Sequence, residues 1–179
     1  KSPDKREFDA LISTGETVSS ALLTIALQSK GIQARSYSAS QISMRTTSSF
    51  SKAKILDVDE NKIKDVLDEG MIPIITGFQG ITESGDITTL GRGGSDTTAV
   101  AIASKINAKR CDIYTDVDGI FTADPKIVPN AKKLDSITME EMLELASQGA
   151  KVMQTRAVEF ANKYNCLLYT SDAADEYDR

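Results

Sequence analysis

The chain has 179 residues, 40% of them apolar, which is enough for one domain with a substantial core, and no apolar run approaches the length of a membrane-spanning helix. Its 21 basic and 26 acidic residues give a net charge of −5, which argues against nucleic acid as a main partner because such partners favour a basic face. It contains no histidine, so a Ser-His-Asp triad, a His-ligated zinc and an imidazole general base are excluded.

Helical and strand patterns alternate along the first half of the chain. Residues 8–30 are predicted to form a helix that Gly31 ends, and residues 61–68 form a short helix with Ile63, Val66 and Leu67 facing inward. The apolar positions of the first helix are Val18, Leu22, Ile25 and Ala26. The remaining segments are predicted as strands at 32–37, 53–58 and 71–76 and as a polar loop at 44–51.

The apolar run at 71–76 is typical of a strand that is buried on both faces of a parallel sheet. Pro73 argues against this assignment, because proline cannot donate a hydrogen bond to a neighbouring strand.

The second half continues the alternation. A helix is predicted over 95–106, a strand over 111–115 and a last helix over 152–164. Thr138 and Glu141 have the spacing of a capping box, and the methionines that follow Thr138 are predicted to be core residues rather than cofactor ligands. Such alternation predicts an α/β fold, in which ligands bind beyond the carboxyl ends of parallel strands, where residues 91–96 and 115–126 are expected.

A glycine-rich loop precedes the helix at 95–106. Gly93 and Gly94 allow close backbone approach to a ligand, and Arg92 carries a planar fork suited to carboxylate or phosphate. The first turn of a helix attracts anions through its unpaired N–H groups, so the loop predicts a site for a small anionic substrate. The alternative is an ordinary turn in which Ser95 or Asp96 caps the helix.

The absence of histidine leaves carboxylates, lysine, arginine, hydroxyls, backbone amides or a cofactor to perform any chemistry. Phosphoryl transfer to a carboxylate satisfies that limit, because the nucleophile is already ionised at neutral pH. Catalysis then consists mostly of positioning and charge neutralisation.

Several motifs between residues 9 and 165 resemble those of the aspartate kinases, within the amino-acid kinase family. They are STGE at 13–16, GFQG at 77–80, TLGRGGSDTTA at 89–99, YTDVDGI at 114–120, ADP at 123–125 and GAKV at 149–152. The resemblance implies a three-layer αβα sandwich with a mainly parallel central sheet, here incomplete at both ends. It also implies ATP-dependent phosphorylation of the side-chain carboxylate of L-aspartate to 4-phospho-L-aspartate, with Mg²⁺ accompanying the nucleotide, as the first step towards lysine, threonine and methionine.

The resemblance also implies roles at the substrate site. Glu16 is expected to bind the α-ammonium of aspartate, although a glutamate in a helix is by itself usually only solvated. Arg92 is expected to clamp a substrate carboxylate as a catalytic and binding residue, and Asp96 is expected to orient neighbouring catalytic groups. The residues expected to line the same pocket are Gly93, Gly94 and Ser95.

For the nucleotide, the resemblance implies contacts from Thr115, Asp116 and Lys151. A further contact segment comprises Phe121, Thr122, Ala123, Asp124, Pro125 and Lys126. Related segments commonly have Tyr first and Arg last, so this chain lacks a hydroxyl at Phe121 and a bidentate fork at Lys126. By sequence alone, residues 116–119 are a turn or a metal-binding loop, the turn being favoured, and no metal-ligating residue is assigned.

Both ends depart from the family pattern. Residues 1–165 are expected to form part of a catalytic domain without its first strand and its Lys-Phe-Gly-Gly-Thr-Ser phosphate loop, which predicts negligible kinase activity for this chain. Residues 166–179 resemble the translation of a sequencing adapter and are expected to be an unrelated tail in place of the two regulatory ACT domains, through which the parent protein is expected to oligomerise. Two cysteines and the absence of a signal-like N-terminus predict a cytoplasmic protein without a membrane partner.

Two other functions remain open on the sequence. One is an amino-acid kinase for a different carboxylate or a carbamate, and the other is a non-catalytic module or regulatory subunit that binds aspartate or nucleotide.

Overall fold

Helices and strands alternate through the residues that the computed structural model describes, which are 2–115, 119–124, 126–147, 155–163 and 166–172. The helices are α1 (Lys5–Ile12), α2 (Thr14–Ser29), α3 (Glu60–Asp68), α4 (Gly94–Lys105), α5 (Met139–Ser147) and α6 (Thr155–Lys163). The strands are β1 (Ala34–Tyr37), β2 (Arg45–Thr46), β3 (Ile55–Asp57), β4 (Ile72–Ile75), β5 (Gln79–Ile81), β6 (Ile87–Thr89), β7 (Cys111–Thr115) and β8 (Leu168–Asp172). The predicted mixed α/β class is confirmed.

The described strands form three separate ladders, where the sequence predicts one mainly parallel sheet. β1 pairs with β4 in parallel, β7 pairs with β8 in parallel, and the other four strands form a mixed sheet in the order β3-β2-β5-β6. The chain leaves β4 and enters β5 through a turn at Phe78, whose φ of 67° redirects the backbone away from the first ladder. Residues 168–172, expected to lie in an unrelated tail, form β8.

The first predicted helix is interrupted at Ser13, which is the C-cap of α1 and the N-cap of α2. Its apolar positions face outward, since Val18, Leu22 and Ile25 are 58%, 62% and 62% exposed. The buried positions are instead the polar residues Asp9, Ser13, Ser20 and Thr24.

The expectation that no apolar run approaches membrane-spanning length is wrong for the stretch Lys5–Ser29. This stretch of 25 residues contains an 18-residue segment with a mean hydropathy of 1.4, and only 17% of that segment is buried. Its many small alanine, glycine, serine and threonine residues separate the apolar ones without greatly lowering the mean hydropathy. By length and composition alone, such a helix is weak evidence for a membrane span.

Two hydrophobic clusters form the core of the described residues. The larger unites α4, β7, α5 and α6 through residues such as Val100, Ile113 and Met142. Met142 is thus a core residue as predicted, and Met139, the other methionine of α5, is partly buried and packs against the same cluster. The capping box is also confirmed, because Glu141 N–H donates to Thr138 Oγ1 at 3.2 Å and Thr138 N–H donates to Glu141 Oε2 at 3.0 Å.

The smaller cluster contains Ile42, Met44, Val58 and Ile63. Ile63 and Val66 of α3 are buried as expected, whereas Leu67 is 44% exposed because it lies on the outer side of that short helix. The segment 44–51, predicted as a polar loop, begins with fully buried Met44 and includes β2.

The predicted double burial of the strand at 71–76 is wrong. Ile72 is exposed and the next three residues of β4 are half-buried, because β4 pairs with β1 alone among the described strands. Pro73 occupies the register position opposite Arg35 in that two-stranded ladder.

Candidate substrate site

The glycine-rich loop makes a tight entry into α4. Gly91 and Gly93 have φ values of 79° and 70°, a conformation that residues with a Cβ rarely adopt, and Gly94 N–H donates to the Gly91 carbonyl at 3.0 Å. A Cβ on Gly91 would lie 2.9 Å from the Ser51 carbonyl oxygen, and one on Gly94 would lie 2.9 Å from Phe78 Cδ2. Gly91 is therefore required by both conformation and space, Gly93 by conformation and Gly94 by space.

Glycine at the N-cap leaves the first turn of α4 without a side-chain cap. The helix begins at Gly94, so Ser95 and Asp96 lie inside its first turn and the alternative that one of them caps it is wrong. Within the described part of the chain, the backbone N–H groups of Ser95 and Asp96 have no acceptor. These two donors fit a carboxylate or phosphate oxygen.

The two predicted charged contacts of the amino acid are both unpaired among the described residues. Arg92 is exposed and Glu16, in the first turn of α2, is half-buried, and neither takes part in an ion pair there. A guanidinium and a carboxylate without protein partners match the carboxylate and the ammonium of a free amino acid.

The β5–β6 hairpin connects these two regions. Gln79 Nε2 donates to the carbonyl of Ser13, three residues before Glu16, at 3.0 Å. Leu90, two residues before Arg92, donates its N–H to the Phe78 carbonyl at 2.9 Å. The α2 N-terminus and the glycine-rich loop are thus anchored to neighbouring residues of one hairpin.

Helix α4 is anchored to the same segment. Phe78 N–H donates to Thr98 Oγ1 at 3.1 Å, and a Cβ on Gly77 would lie 3.3 Å from Ser95 Cα. The GFQG and GRGGSD motifs, which are separate in sequence, therefore pack directly on each other.

Asp96 is the titratable group most affected by burial in this region. Removal from solvent raises the pKa of its carboxyl above the usual value, because the charged form loses hydration. The described residues supply no hydrogen bond or cation that would offset this loss. A carboxyl group that is partly removed from solvent without a protein partner, in the first turn of a helix, is a feature of functional sites.

The predicted nucleotide segment is held by backbone contacts. Thr122 N–H donates to the Lys132 carbonyl at 2.9 Å, and Lys132 N–H donates to Thr122 Oγ1 at 3.0 Å. Asp124 Oδ1 accepts the N–H of Lys126 at 2.9 Å, as in an Asx turn. Phe121 forms an isolated bridge with Lys133, while Ala123 and Lys126 are exposed.

Thr115 ends β7. Three other residues assigned to the nucleotide site, Asp116, Pro125 and Lys151, lie outside the described residues. Among the described residues, no group of three acidic or cysteine side chains is arranged to hold a metal ion.

Neither Glu16 nor Arg92 lines either of two cavities found in the described structure. One of about 400 Å³ is lined by residues that include Lys54, Leu90 and Thr97, and one of about 440 Å³ is lined by residues that include Thr122 and Glu144. The proximity of the two residues expected to bind the amino acid therefore remains a prediction.

Sequence reasoning missed Asp9 and Ser51. Asp9 is completely buried and Ser51 has a φ of 66°, and both lie behind the glycine-rich loop. The only signal was a single carboxylate between apolar residues of the first helix. Gln79 and Phe78 lie within the GFQG motif, but no role was assigned to either.

The α/β elements and the glycine-rich entry into α4 define an α/β protein in which the first turn of α4 has no side-chain cap and is free to receive an anion. The chain belongs to the amino acid kinase family, whose model matches residues 2–169.

Within that family, the chain is similar to aspartate kinases. It is 56% identical over 166 residues to an aspartate kinase of Pseudomonas putida, covering 93% of this chain and 40% of that protein. The E. coli aspartokinase III structure with aspartate and ADP matches at a TM-score of 0.86 and 32% identity, covering 99% of this chain and 40% of that one. An aspartate kinase structure from Synechocystis matches at a TM-score of 0.79 and 46% identity, covering 96% of this chain and 28% of that one. The chain thus spans about 40% of the length of the Pseudomonas relative.

Proposed function

We propose that this chain is part of the catalytic region of an aspartate kinase, and that the whole protein transfers the γ-phosphoryl group of ATP to the side-chain carboxylate of L-aspartate. The observation that carries the proposal is that the segments carrying Glu16 and Arg92 are anchored to neighbouring residues, Gln79 and Phe78. Neither charged side chain forms an ion pair among the described residues. The similarity to a kinase crystallised with aspartate and ADP supports the same substrates.

In this proposal Glu16 binds the α-ammonium of aspartate and Arg92 binds a carboxylate in a bidentate manner. The N–H groups of Ser95 and Asp96, which have no acceptor among the described residues, bind the remaining oxygens of the substrate, and Gly93 and Gly94 line the same pocket. The side-chain carboxylate then attacks the γ-phosphorus of ATP, the bond to the β–γ bridging oxygen breaks, and ADP leaves. No proton has to be removed from the nucleophile, so a protein lacking histidine can perform this step.

The nucleotide is proposed to lie along Thr115, Asp116 and Lys151 and the segment 121–126, with Mg²⁺ bound to its phosphates. Asp96 is proposed to orient groups between the two substrates. This arrangement belongs to a three-layer αβα sandwich in which residues 1–165 are part of the catalytic domain and residues 166–179 lie outside it.

The whole protein is proposed to be cytoplasmic, to bind no membrane or nucleic acid and to assemble through regulatory domains beyond this chain. The buried free cysteines Cys111 and Cys166 agree with a reducing compartment.

Isothermal titration calorimetry with L-aspartate tests the proposal, because binding does not require the complete catalytic apparatus. We expect L-aspartate to bind and N-acetyl-L-aspartate, which lacks the ammonium group, to bind at least about tenfold more weakly, the loss expected when a charged group is left unpaired. Glu16→Gln should remove most of that discrimination, and Arg92→Lys should weaken aspartate binding because the bidentate fork is lost.

Arg35→Lys, at an exposed position of β1, is the matched control and should bind like the unmodified chain. Binding of L-glutamate more tightly than L-aspartate would favour an amino-acid kinase of different specificity. Failure to bind any of these amino acids would contradict the proposal.

A further inference from the structure

Asp9 of α1 is a completely buried carboxylate with four donors. Oδ2 accepts the backbone N–H groups of Ser51 and Thr89, each at 2.7 Å, and Oδ1 accepts the hydroxyls of the same two residues, each at 3.0 Å. No lysine or arginine pairs with it in the part of the chain that the structure describes. Burial of an unpaired charge is strongly unfavourable, so this arrangement depends on all four hydrogen bonds.

These hydrogen bonds fix two backbone segments next to the glycine-rich loop, one at Thr89 and the other at Ser51. Thr89 is the last residue of β6, and two residues later Gly91 passes Ser51 so closely that its absent Cβ would lie 2.9 Å from the Ser51 carbonyl oxygen. Ser51 itself has a φ of 66°, which is unfavourable for a residue with a side chain. Asp9 thus holds two residues in place: Thr89, which lies three residues before Arg92, and Ser51, which Gly91 approaches closely.

The same helix face makes a second contact with the hairpin one turn later. Ser13 accepts a hydrogen bond from Gln79, and Gln79 is the cross-strand partner of Thr89 in the antiparallel β5–β6 ladder. Two positions four residues apart on α1 therefore contact two paired residues of one hairpin. Glu16 follows Ser13 in α2, and Arg92 follows Thr89 in the loop.

We propose that Asp9 is a positioning residue that sets the distance and orientation between Glu16 and Arg92, and thereby the affinity of the site for a free amino acid. Asp9 acts through Thr89 and Ser51 and does not touch the substrate. The proposal rests on the proposed function, since it assumes that Glu16 and Arg92 bind the two ends of one amino acid.

The hydrogen-bond pattern distinguishes two substitutions at Asp9. In Asp9→Asn the amide oxygen can accept both backbone N–H groups, while the amide NH₂ donates to the Ser51 and Thr89 hydroxyls after these rotate. Asp9→Ala leaves the two buried N–H groups without an acceptor. Asparagine therefore preserves the geometry without the charge, and alanine removes both.

The experiment measures L-aspartate binding by calorimetry and amide hydrogen exchange by NMR on the complete 179-residue chain. We expect Asp9→Ala to weaken aspartate binding by about tenfold or more and Asp9→Asn by about threefold or less. The amides of Leu90 and Gly94, which donate to Phe78 and Gly91, should exchange faster in the alanine variant than in the asparagine variant.

Ile63→Ala is the control, because Ile63 is also buried but belongs to α3 and to a hydrophobic cluster that includes neither Asp9 nor its hydrogen-bond partners. At a comparable loss of melting temperature it should leave aspartate affinity within about twofold. If Asp9→Ala does not fold, Thr89→Val, which removes one hydroxyl donor, should still weaken binding, while Thr89→Ser should not.

The positioning role is overturned if Asp9→Ala binds aspartate like the unmodified chain, if Asp9→Asn is as impaired as Asp9→Ala, or if Ile63→Ala loses as much affinity. If the unmodified chain binds no amino acid, the proposed function fails. In that case the positioning role is tested by hydrogen exchange alone. It is overturned if the amides of Leu90 and Gly94 exchange at the same rate in Asp9→Ala as in the unmodified chain.

Discussion

The side-chain amide of Gln79 donates to the main-chain carbonyl of Ser13 at 3.0 Å, joining residues that lie 66 positions apart in the sequence. Both residues are buried. The contact links the junction between α1 and α2 to the strand that follows Phe78, so the helix start that carries Glu16 cannot move independently of the hairpin.

Gln79→Leu should lower the free energy of unfolding by about 1–3 kcal/mol, because it removes the buried donor to the Ser13 carbonyl. It should also weaken L-aspartate binding, since the start of α2 becomes free to shift. Thermal unfolding and calorimetry measure the two effects. Gln28→Leu is the matched control, because Gln28 Nε2 makes the same kind of bond to the Ala34 carbonyl at 2.9 Å near the opposite end of α2. An equal loss of aspartate affinity in both variants would refute the link to the site.

Gly91→Ala should destabilise the fold by more than Gly85→Ala, although both residues have a positive φ. Alanine in that conformation costs roughly 1–2 kcal/mol at either position. At Gly91 the new Cβ also meets the Ser51 carbonyl oxygen at 2.9 Å, whereas at Gly85 nothing lies within 4 Å. The steric overlap should add about 1–3 kcal/mol. Urea unfolding of the two variants measures the contribution of the steric overlap as the difference in their stability. Equal unfolding midpoints would show that the overlap contributes nothing.

Asp96→Asn should raise the melting temperature at neutral pH by about 1–3 °C while weakening function. Burial raises the pKa of Asp96, so its ionised form is disfavoured in the folded protein, and the cost is present above the folded pKa. As the pH falls through the folded pKa towards 3.8, Asp96 becomes protonated and the difference between the variants should disappear. Melting curves between pH 3 and pH 8 test this, and a neutral-pH loss of stability in the asparagine variant would show that Asp96 instead supports the fold.

Asp57 should contribute a pH-dependent stabilisation through its ion pairs with Lys105 and Arg45, at 2.7 Å and 3.0 Å. The hydrogen bonds from Lys105 and then Arg45 lower its pKa from 3.8 to about 2. The lowered value means that the stabilisation is complete above pH 3.8 and is lost as the pH falls towards 2. Because the side chain is 41% exposed, solvent screening limits the effect to about 1 kcal/mol or less.

The stability difference between the unmodified chain and Asp57→Asn, measured at several pH values and at low and high salt, gives the size of this term. A stability difference that is constant between pH 4 and pH 2 would exclude a stabilising contribution from the ion pairs of Asp57. Asp65→Asn, at an exposed position of α3, provides the control for loss of one negative charge.

Local patterns predicted most of the secondary structure. The strand at 111–115 and the capping box at Thr138 and Glu141 were predicted correctly, because both depend on short-range alternation or hydrogen bonding. The start of α4 was predicted within one residue, since the glycine-rich loop marks it. The family was also evident from contiguous motifs such as GRGGSD.

The burial of the first helix was not predictable from its periodicity. The apolar side of α2 is exposed, while Asp9 and Ser13 are buried because the hairpin supplies them with hydrogen-bond partners. Thr24 is also buried, and its hydroxyl donates to the Ser20 carbonyl of its own helix. Hydrophobicity ranks side chains by their transfer from water, and this ranking fails where distant residues satisfy a polar group. The division of the strands into separate ladders likewise depends on a turn at Phe78, a residue other than glycine that has a positive φ.

By itself the sequence determined the α/β class, the family motifs and the residue types available for chemistry, since these follow from local order and composition. Only the tertiary structure decided that Asp9, Ser51 and Thr89 form one buried group behind the loop that carries Arg92. Their hydrogen bonds join three segments that are 42 and 80 residues apart, and no local pattern specifies such partners. The physical reason is that a buried charge is stable only where the folded chain brings all of its donors together.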